Sequence, residues 1–226
     1  MRFTDKPAPR YSAFPMSTLQ VFSVRVEGIR RVLQWPLDVF GIIAARDTVD
    51  FNRNIIFSGT RDNCQTLAKE DRNLALVGPS RAVVWQDHLY IEVKLTVKGP
   101  TESEDKDLSF LVVPFACVMG HGQMVSVPNS LHLPLAFVAR EPLALIARVP
   151  VNAGGIELSR LVVSVETTGK LRVCVKAWKV AESAKDAVKD ELFFTPQEAG
   201  RSSGSLDAGF CKMEVTVAWS LVPYDK

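Results

Sequence analysis

Residues 195–204 read TPQEAGRSSG, and within them Glu198 and Arg201 stand three positions apart. On one face of a stable helix such a pair can cleave an N-glycosidic bond: the carboxylate stabilises the ribosyl oxocarbenium ion and the guanidinium protonates the departing adenine. That chemistry also needs two tyrosines to sandwich the base, a tryptophan beneath the site and a dry pocket. The segment supplies only a beginning. Thr195, Pro196 and Glu198 make a Thr-x-x-Glu capping signature with proline at the first helical position, which predicts one turn of helix. Gly200 and Gly204 end it, and no apolar residue before Leu206 gives the turn a face to bury. Tyr11, Tyr90 and Tyr224 are the only tyrosines, each in an unrelated stretch. The spacing therefore predicts a loop, with Glu198 and Arg201 as the one candidate catalytic pair.

A second candidate is acidic. Asp38, Asp47 and Asp50 in one half, with Glu102, Glu104, Asp105 and Asp107 in "TESEDKD", could gather at one end of a sandwich as a calcium site. Of these, Asp38, Asp47, Asp50, Asp105 and Asp107 are the candidate ligands, because a hard cation needs about six to eight oxygens drawn from several loops. Lys98 and Lys106 flank one acidic run and Arg46 and Arg53 the other, so the same residues also read as solvated connectors. No metal is predicted. "RDTVDFNRN" reads as a turn held by Asx side chains, with anion binding as the second reading.

The remaining reactive residues do not assemble into a site. His88, His121 and His132 lie in separate segments without metal spacing. Cys64, Cys117, Cys174 and Cys211 lack a Cys-x-x-Cys pair, which predicts free thiols, with Cys64 and Cys211 buried at strand positions. "LVGPSRAV" has neither the lysine nor the following helix of a phosphate loop, so Gly78-Pro79 is a turn. Trp35, Trp85, Trp178 and Trp219 sit in or beside strands, where core anchoring is expected.

The elements that must position these residues are strands. Residues 89–97, LYIEVKLTV, alternate strictly: Leu89, Ile91, Val93, Leu95 and Val97 take one face while Tyr90, Glu92, Lys94 and Thr96 take the other. Residues 213–221 repeat the pattern with Met213, Val215, Val217 and Trp219, and both sets are expected in one inter-sheet core. In 171–178, Cys174 and Trp178 oppose Val173 and Val175, so both faces of that strand are read as covered. Further strands are expected at 19–27, 38–45, 54–58, 73–77, 81–85, 108–113, 143–149 and 157–166. Only 181–190 could be helical. The stretch 114–142 holds four prolines and no sustained period, and is expected to be irregular.

The fold expected is all-β, an antiparallel β-sandwich or partly closed barrel with long loops, a C2-like arrangement being one form of it, built as an irregular segment 1–17 and one β domain over 18–226. The 226 residues are 47% hydrophobic and 23% charged, enough for a core without disulfides. With 27 basic against 25 acidic residues the formal charge is +2, which excludes a global field for nucleic acid or anionic membrane. The prolines among the first 20 residues interrupt any secretory core, and no 18-residue apolar run follows, so the expectation is an intracellular protein, cytoplasmic or nuclear, with no cofactor.

The stretches "STLQVFSVRV", "QWPLDVFGIIAARDTVDFNRNIIFSGTRDNCQTL" and "LVGPSRAV", with "TESEDKDLS", "KLRVCVKAWK" and "FFTPQEAGRSSGSLDAGFCKMEVTVAWSLV", resemble a plant domain family of unknown function that is expanded in grasses. The resemblance implies a mostly β domain, found alone or fused to ribosome-inactivating N-glycosidase domains, with no established reaction of its own. The chain departs from it at 114–142. The function expected is a non-catalytic binding module with a protein partner, plausibly in stress or defence responses. The alternatives are rRNA N-glycosidase activity and, third, a calcium-dependent membrane-binding C2-like module.

Overall fold

The computed structural model describes residues 3–29, 32–85, 88–116, 135–138, 155–156, 158, 160–178 and 187–223. Its strands are β1 (Ala13–Phe14), β2 (Thr18–Leu19), β3 (Ser23–Val26), β4 (Leu37–Arg46), β5 (Asn54–Gly59), β6 (Gln65–Leu67), β7 (Val83–Val84), β8 (His88–Val97), β9 (Lys106–Ala116), β10 (Leu135–Val138), β11 (Leu171–Ala177), β12 (Val188–Phe194), β13 (Ala199–Asp207), β14 (Lys212–Ser220) and β15 (Val222–Pro223). The fold is all-β and every described ladder is antiparallel. None of the sheets closes into a barrel. Among the described residues the helical content is one 3-10 turn, Glu102–Glu104, and no helix is long and apolar enough to cross a membrane.

The residues group into two compact units, Met16–Ser164 and a discontinuous one made of Met1–Pro15 with Val165–Lys226. In the first, the sheet runs β5-β4-β8-β9, with β6 also on β4. Its centre follows from alternation. Leu89, Ile91, Val93 and Leu95 of β8 are buried, and opposite them β4 buries Val39, Ile43 and Ala45. Ile56, Phe57, Leu67, Leu74, Leu76 and Leu108 complete this core. Gly41 is required where β4 crosses β8: its φ is +126°, and a Cβ there would lie 2.1 Å from the Lys94 carbonyl oxygen. The second unit pairs β11 with β12, β13 with β14, and β1 with β15. Leu206 and Trp219 are buried in it, and a Cβ on Gly204 would stand 2.8 Å from Leu192.

Several expectations are corrected. Leu89–Leu95 and Met213–Trp219 belong to different units, so they do not share a core; Val215 is half-buried, whereas Val93 is fully so. The segment 73–77 is extended but unladdered. Its N–H groups are taken instead by the Val24 and Ile56 carbonyls and the Gln65 side chain. Within 157–166 the described residues carry no strand, and 143–149 lies outside the described residues. The irregular reading of 114–142 fails at both ends: β9 runs through Pro114 to Ala116, and β10 pairs with β3. Pro114 is tolerated because β9 is an edge strand. In 181–190, open between helix and solvated loop in the sequence, residues 188–190 are strand and 181–186 lie outside the described residues. The segment 1–17 is not wholly irregular, since β1 pairs with β15.

Candidate functional site

The loop after β4 and the approach to β7 meet at a corner built from charge pairs. Asp47, the first residue past β4, is buried and accepts from Arg81 Nη1 at 2.7 Å and Nη2 at 2.8 Å. It also takes the Val84 N–H at 2.8 Å and the Val49 N–H at 3.2 Å, the latter an Asx turn. Arg81 reaches on to Asp50 at 2.7 Å. Asn54, buried at the start of β5, fixes the same loop from its other side. Its amide nitrogen donates to the Arg81 carbonyl at 2.9 Å and its amide oxygen accepts from the Ser80 N–H at 2.9 Å. Nearby, Glu92 on β8 accepts from Arg53 at 2.6 Å and from Arg46.

Electrostatics here favour fixed charges over proton transfer. Burial opposes ionisation of Asp50, but the hydrogen bond and charge of Arg81, with the Asn52 N–H, outweigh it and leave its carboxyl below the usual range. Glu92 follows the same logic, with burial outweighed by Arg53 and Arg46. Asp50, Asn52, Arg53, Asn54, Ser80 and Arg81 line a cavity of about 210 Å³ at this corner. Its guanidinium groups already hold carboxylates, so neither an acid nor a free cation is presented there.

The proposed calcium ligands are not brought together. Asp38 lies near the start of β4 and Asp47 just past its end, nine residues on, a span of about 30 Å in extended chain. Asp38 accepts from the Thr66 hydroxyl at 2.6 Å. Asp105 is held by Arg61 at 3.0 Å and by the Gly99 N–H at 2.7 Å, and first Arg61, then Gly99, draw its carboxyl below its ordinary value. Asp107 lies in β9 opposite Thr96. Among the described residues no three His, Cys, Asp or Glu side chains are grouped to hold a metal.

No helical turn carries Glu198 and Arg201, and only Glu198, at a bend in the β12–β13 connection, is in a loop. Glu198 immediately precedes β13 and Arg201 lies within it, paired opposite Ala218. The spacing that stacks two side chains on a helix does not act here, because Glu198 stands at a bend and Gly200 has a φ of +100°. Arg201 is ion-paired with exposed Asp5 instead. The capping motif fails because β14 offers 199–207 a full ladder, which a single isolated turn cannot match.

Other expected residues also move. Cys64 and Cys211 are half-buried and outside strands, Cys174 is exposed, and all three are free thiols. His88 is exposed at the start of β8, its ring 6.5 Å from that of Tyr90; His121, His132 and Cys117 lie outside the described residues. Trp219 is buried and donates to the Ser202 hydroxyl at 2.8 Å, while Trp35 and Trp85 pack against the core of the first unit. Trp178 is the exception, exposed and not a core anchor.

The feature the sequence reading missed is apolar and exposed. On the outer face of the β8–β9 ladder, Phe110 is 76% exposed and Val112 58%; across from them on β8 stand Lys94 and Glu92, with Tyr90 opposite Pro114. β9 ends the sheet order, so one edge of this strand is unpaired among the described residues. The signal was present in "DLSFLVVPF": alternation turns Ser109, Leu111 and Val113 inward, and the outward positions between them carry Phe110 and Val112 where polar residues would be ordinary.

A family model, Domain of unknown function (DUF6598), matches residues 18–129 and 146–217, most of the chain, and the chain belongs to that family. No curated protein and no solved structure matches.

Proposed function

We propose that this family member is a non-catalytic interaction module whose partner is a protein that covers the outward β9 face and pairs with its free edge. The observation that carries the proposal is the coincidence of a strand edge unpaired among the described residues with exposed Phe110 and Val112. Exposed edges and large apolar side chains are liabilities on a soluble surface unless a partner uses them. An extended partner segment would bond the β9 backbone and seat its alternate side chains against these two. The carboxylates and guanidinium groups described above are engaged with one another, which favours binding over a reaction. An intracellular setting is proposed from the three free thiols, and a role in plant stress or defence responses from the sequence resemblance alone.

The test places a photo-crosslinking amino acid at Phe110 and, as control, at exposed Glu214 on β14. A discrete protein adduct specific to position 110, lost on Val112→Asp, is the expected result. Identical adducts from both positions would defeat the proposal.

A further inference from the structure

The β11–β12 hairpin turns a cationic, aromatic face to solvent. In its ladder Arg172 stands opposite Phe193, Cys174 opposite Glu191, and Lys176 opposite Lys189. All six are exposed, while Leu171, Val173 and Val175 in the alternate positions are half-buried. Trp178, next in the same alternation, is 40% exposed, and Phe193 is 55% exposed. Arg172 donates to Glu191 at 2.7 Å. Lys176 and Lys189 make no ion pair among the described residues, although they sit directly across the ladder from one another. Like charges in that position destabilise a hairpin. The fold therefore keeps an unfavourable contact that an external anion would relieve.

We propose that this face binds single-stranded nucleic acid, with Lys176 and Lys189 on phosphates and Trp178 and Phe193 stacking on bases. Aromatic rings on a sheet face, interleaved with cations, are the elements of a sequence-tolerant stacking platform. Trp178 lies six positions along β11 from Arg172, the residue opposite Phe193, so the rings mark out about 20 Å. That length suits a strand of a few nucleotides, within the roughly 4–16 that single-stranded sites cover. An acidic peptide would use the lysines but has no bases for the two rings. A membrane surface favours apolar residues gathered at one tip with cations around them, whereas here the cations lie between the aromatic positions. The net charge of +2 does not oppose the assignment, because the charge is local. The two proposals use different residues, so either can fail alone.

The test is fluorescence anisotropy of the purified chain with labelled oligouridine and oligothymidine of about twelve nucleotides, across a salt series, with double-stranded DNA, polyglutamate and phosphatidylserine vesicles as competitors. Binding of the single strands at low salt is expected, weakening as salt rises. Lys176→Gln with Lys189→Gln should weaken it and flatten the log–log salt slope by about 1.4, the share of two phosphate contacts. Trp178→Ala should weaken binding about tenfold and leave the slope unchanged, since stacking releases no counterions. The melting temperature of the double lysine variant should equal or exceed that of the parent, which separates lost binding from lost folding. The proposal is overturned by an absence of binding at low salt or by affinity unchanged in either variant. It is equally overturned if polyglutamate, vesicles or duplex displaces the label as well as unlabelled single strand does.

Discussion

Asp47 and Arg81 are bound to each other through both carboxylate oxygens and both terminal guanidinium nitrogens, with the Asp47 side chain 1% exposed. The pair joins the end of β4 to the loop that leads into β7, and the Val84 N–H on the same carboxylate extends the join into that strand. Removing Arg81 alone would leave a buried charge without its partner. Arg81→Met should therefore destabilise the first unit by about 3–5 kcal/mol, and Asp47→Asn with Arg81→Met together by less than the sum of the two single changes. Urea unfolding of the four proteins, read as a double-mutant cycle, measures this; additive losses would show that the pair is not coupled.

The pH dependence has a definite sign. Asp50 and Glu92 titrate below their ordinary range in the folded chain, each because its arginine partners outweigh its burial. A carboxylate with a depressed folded value contributes stability above its unfolded value, about 4, and loses that contribution as pH falls through the lower folded value. Melting temperature should thus hold between about pH 5 and 7 and fall below about 4. In Glu92→Gln the acid-side fall should be shallower. An equal slope in the variant would mean that Glu92 is not among the groups responsible.

Gly41→Ala tests the crossing of β4 and β8. The new methyl would meet the Lys94 carbonyl at 2.1 Å on a backbone with φ of +126°. Local strain of this kind costs about 1–3 kcal/mol, and the contact with backbone adds to it. Gly155→Ala, with open space around it, should change the denaturation midpoint little. Similar midpoints for the two variants would contradict the close approach.

Calcium should leave the melting curve unmoved. Asp38, Asp47, Asp50, Asp105 and Asp107 are distributed along the first unit, and the first four are engaged with Thr66, Arg81, Arg61 and backbone N–H groups. A ligand that binds only the folded chain raises its melting temperature by mass action, so millimolar calcium against chelator is a direct measurement. A rise of several degrees, abolished by Asp105→Asn, would show that a site forms.

Glu198→Ala and Arg201→Ala should be nearly silent. Both side chains are exposed, and the Arg201 pair with Asp5 is of the surface kind that contributes about 0–1 kcal/mol. Purified protein should release no adenine from ribosomes; release that Glu198→Ala removes while the melting curve stays the same would make the chain an enzyme.

What was legible in the sequence was periodicity. β8 shows it because Leu89 to Leu95 alternate with charged and polar residues against one buried layer. β13 was illegible for the opposite reason. Its "AGRSSGSLD" carries almost no apolar residue and reads as a turn, yet Lys212–Ser220 pairs with it residue for residue, and Gly204 is where Leu192 comes close. Residues 73–77 look like a strand because Leu74 and Leu76 alternate into the core, but alternation does not say whose carbonyls receive the N–H groups. The acidic residues could be read individually and not as sites, since the arginine that captures Asp47 lies 34 residues away. Trp178 and the Lys176–Lys189 pair escaped because the solvated face of a hairpin depends on register, which composition does not encode.

The pairing of β1 with β15 sets Ala13 against Pro223 and Phe14 against Val222, so the second unit draws on segments that flank Met16–Ser164 on either side. On a ribosome this imposes an order of events. Met16–Ser164 has all of its own strands once it has emerged, and can condense while synthesis continues, as domains generally do. Residues 13–14 must wait, unpaired, until residues 222–223 are released, and then close a loop of more than 200 residues. The β1–β15 contact therefore waits for residue 223, and a truncation before Val222 would leave Met16–Ser164 with its own strands while depriving residues 13–14 of their partner.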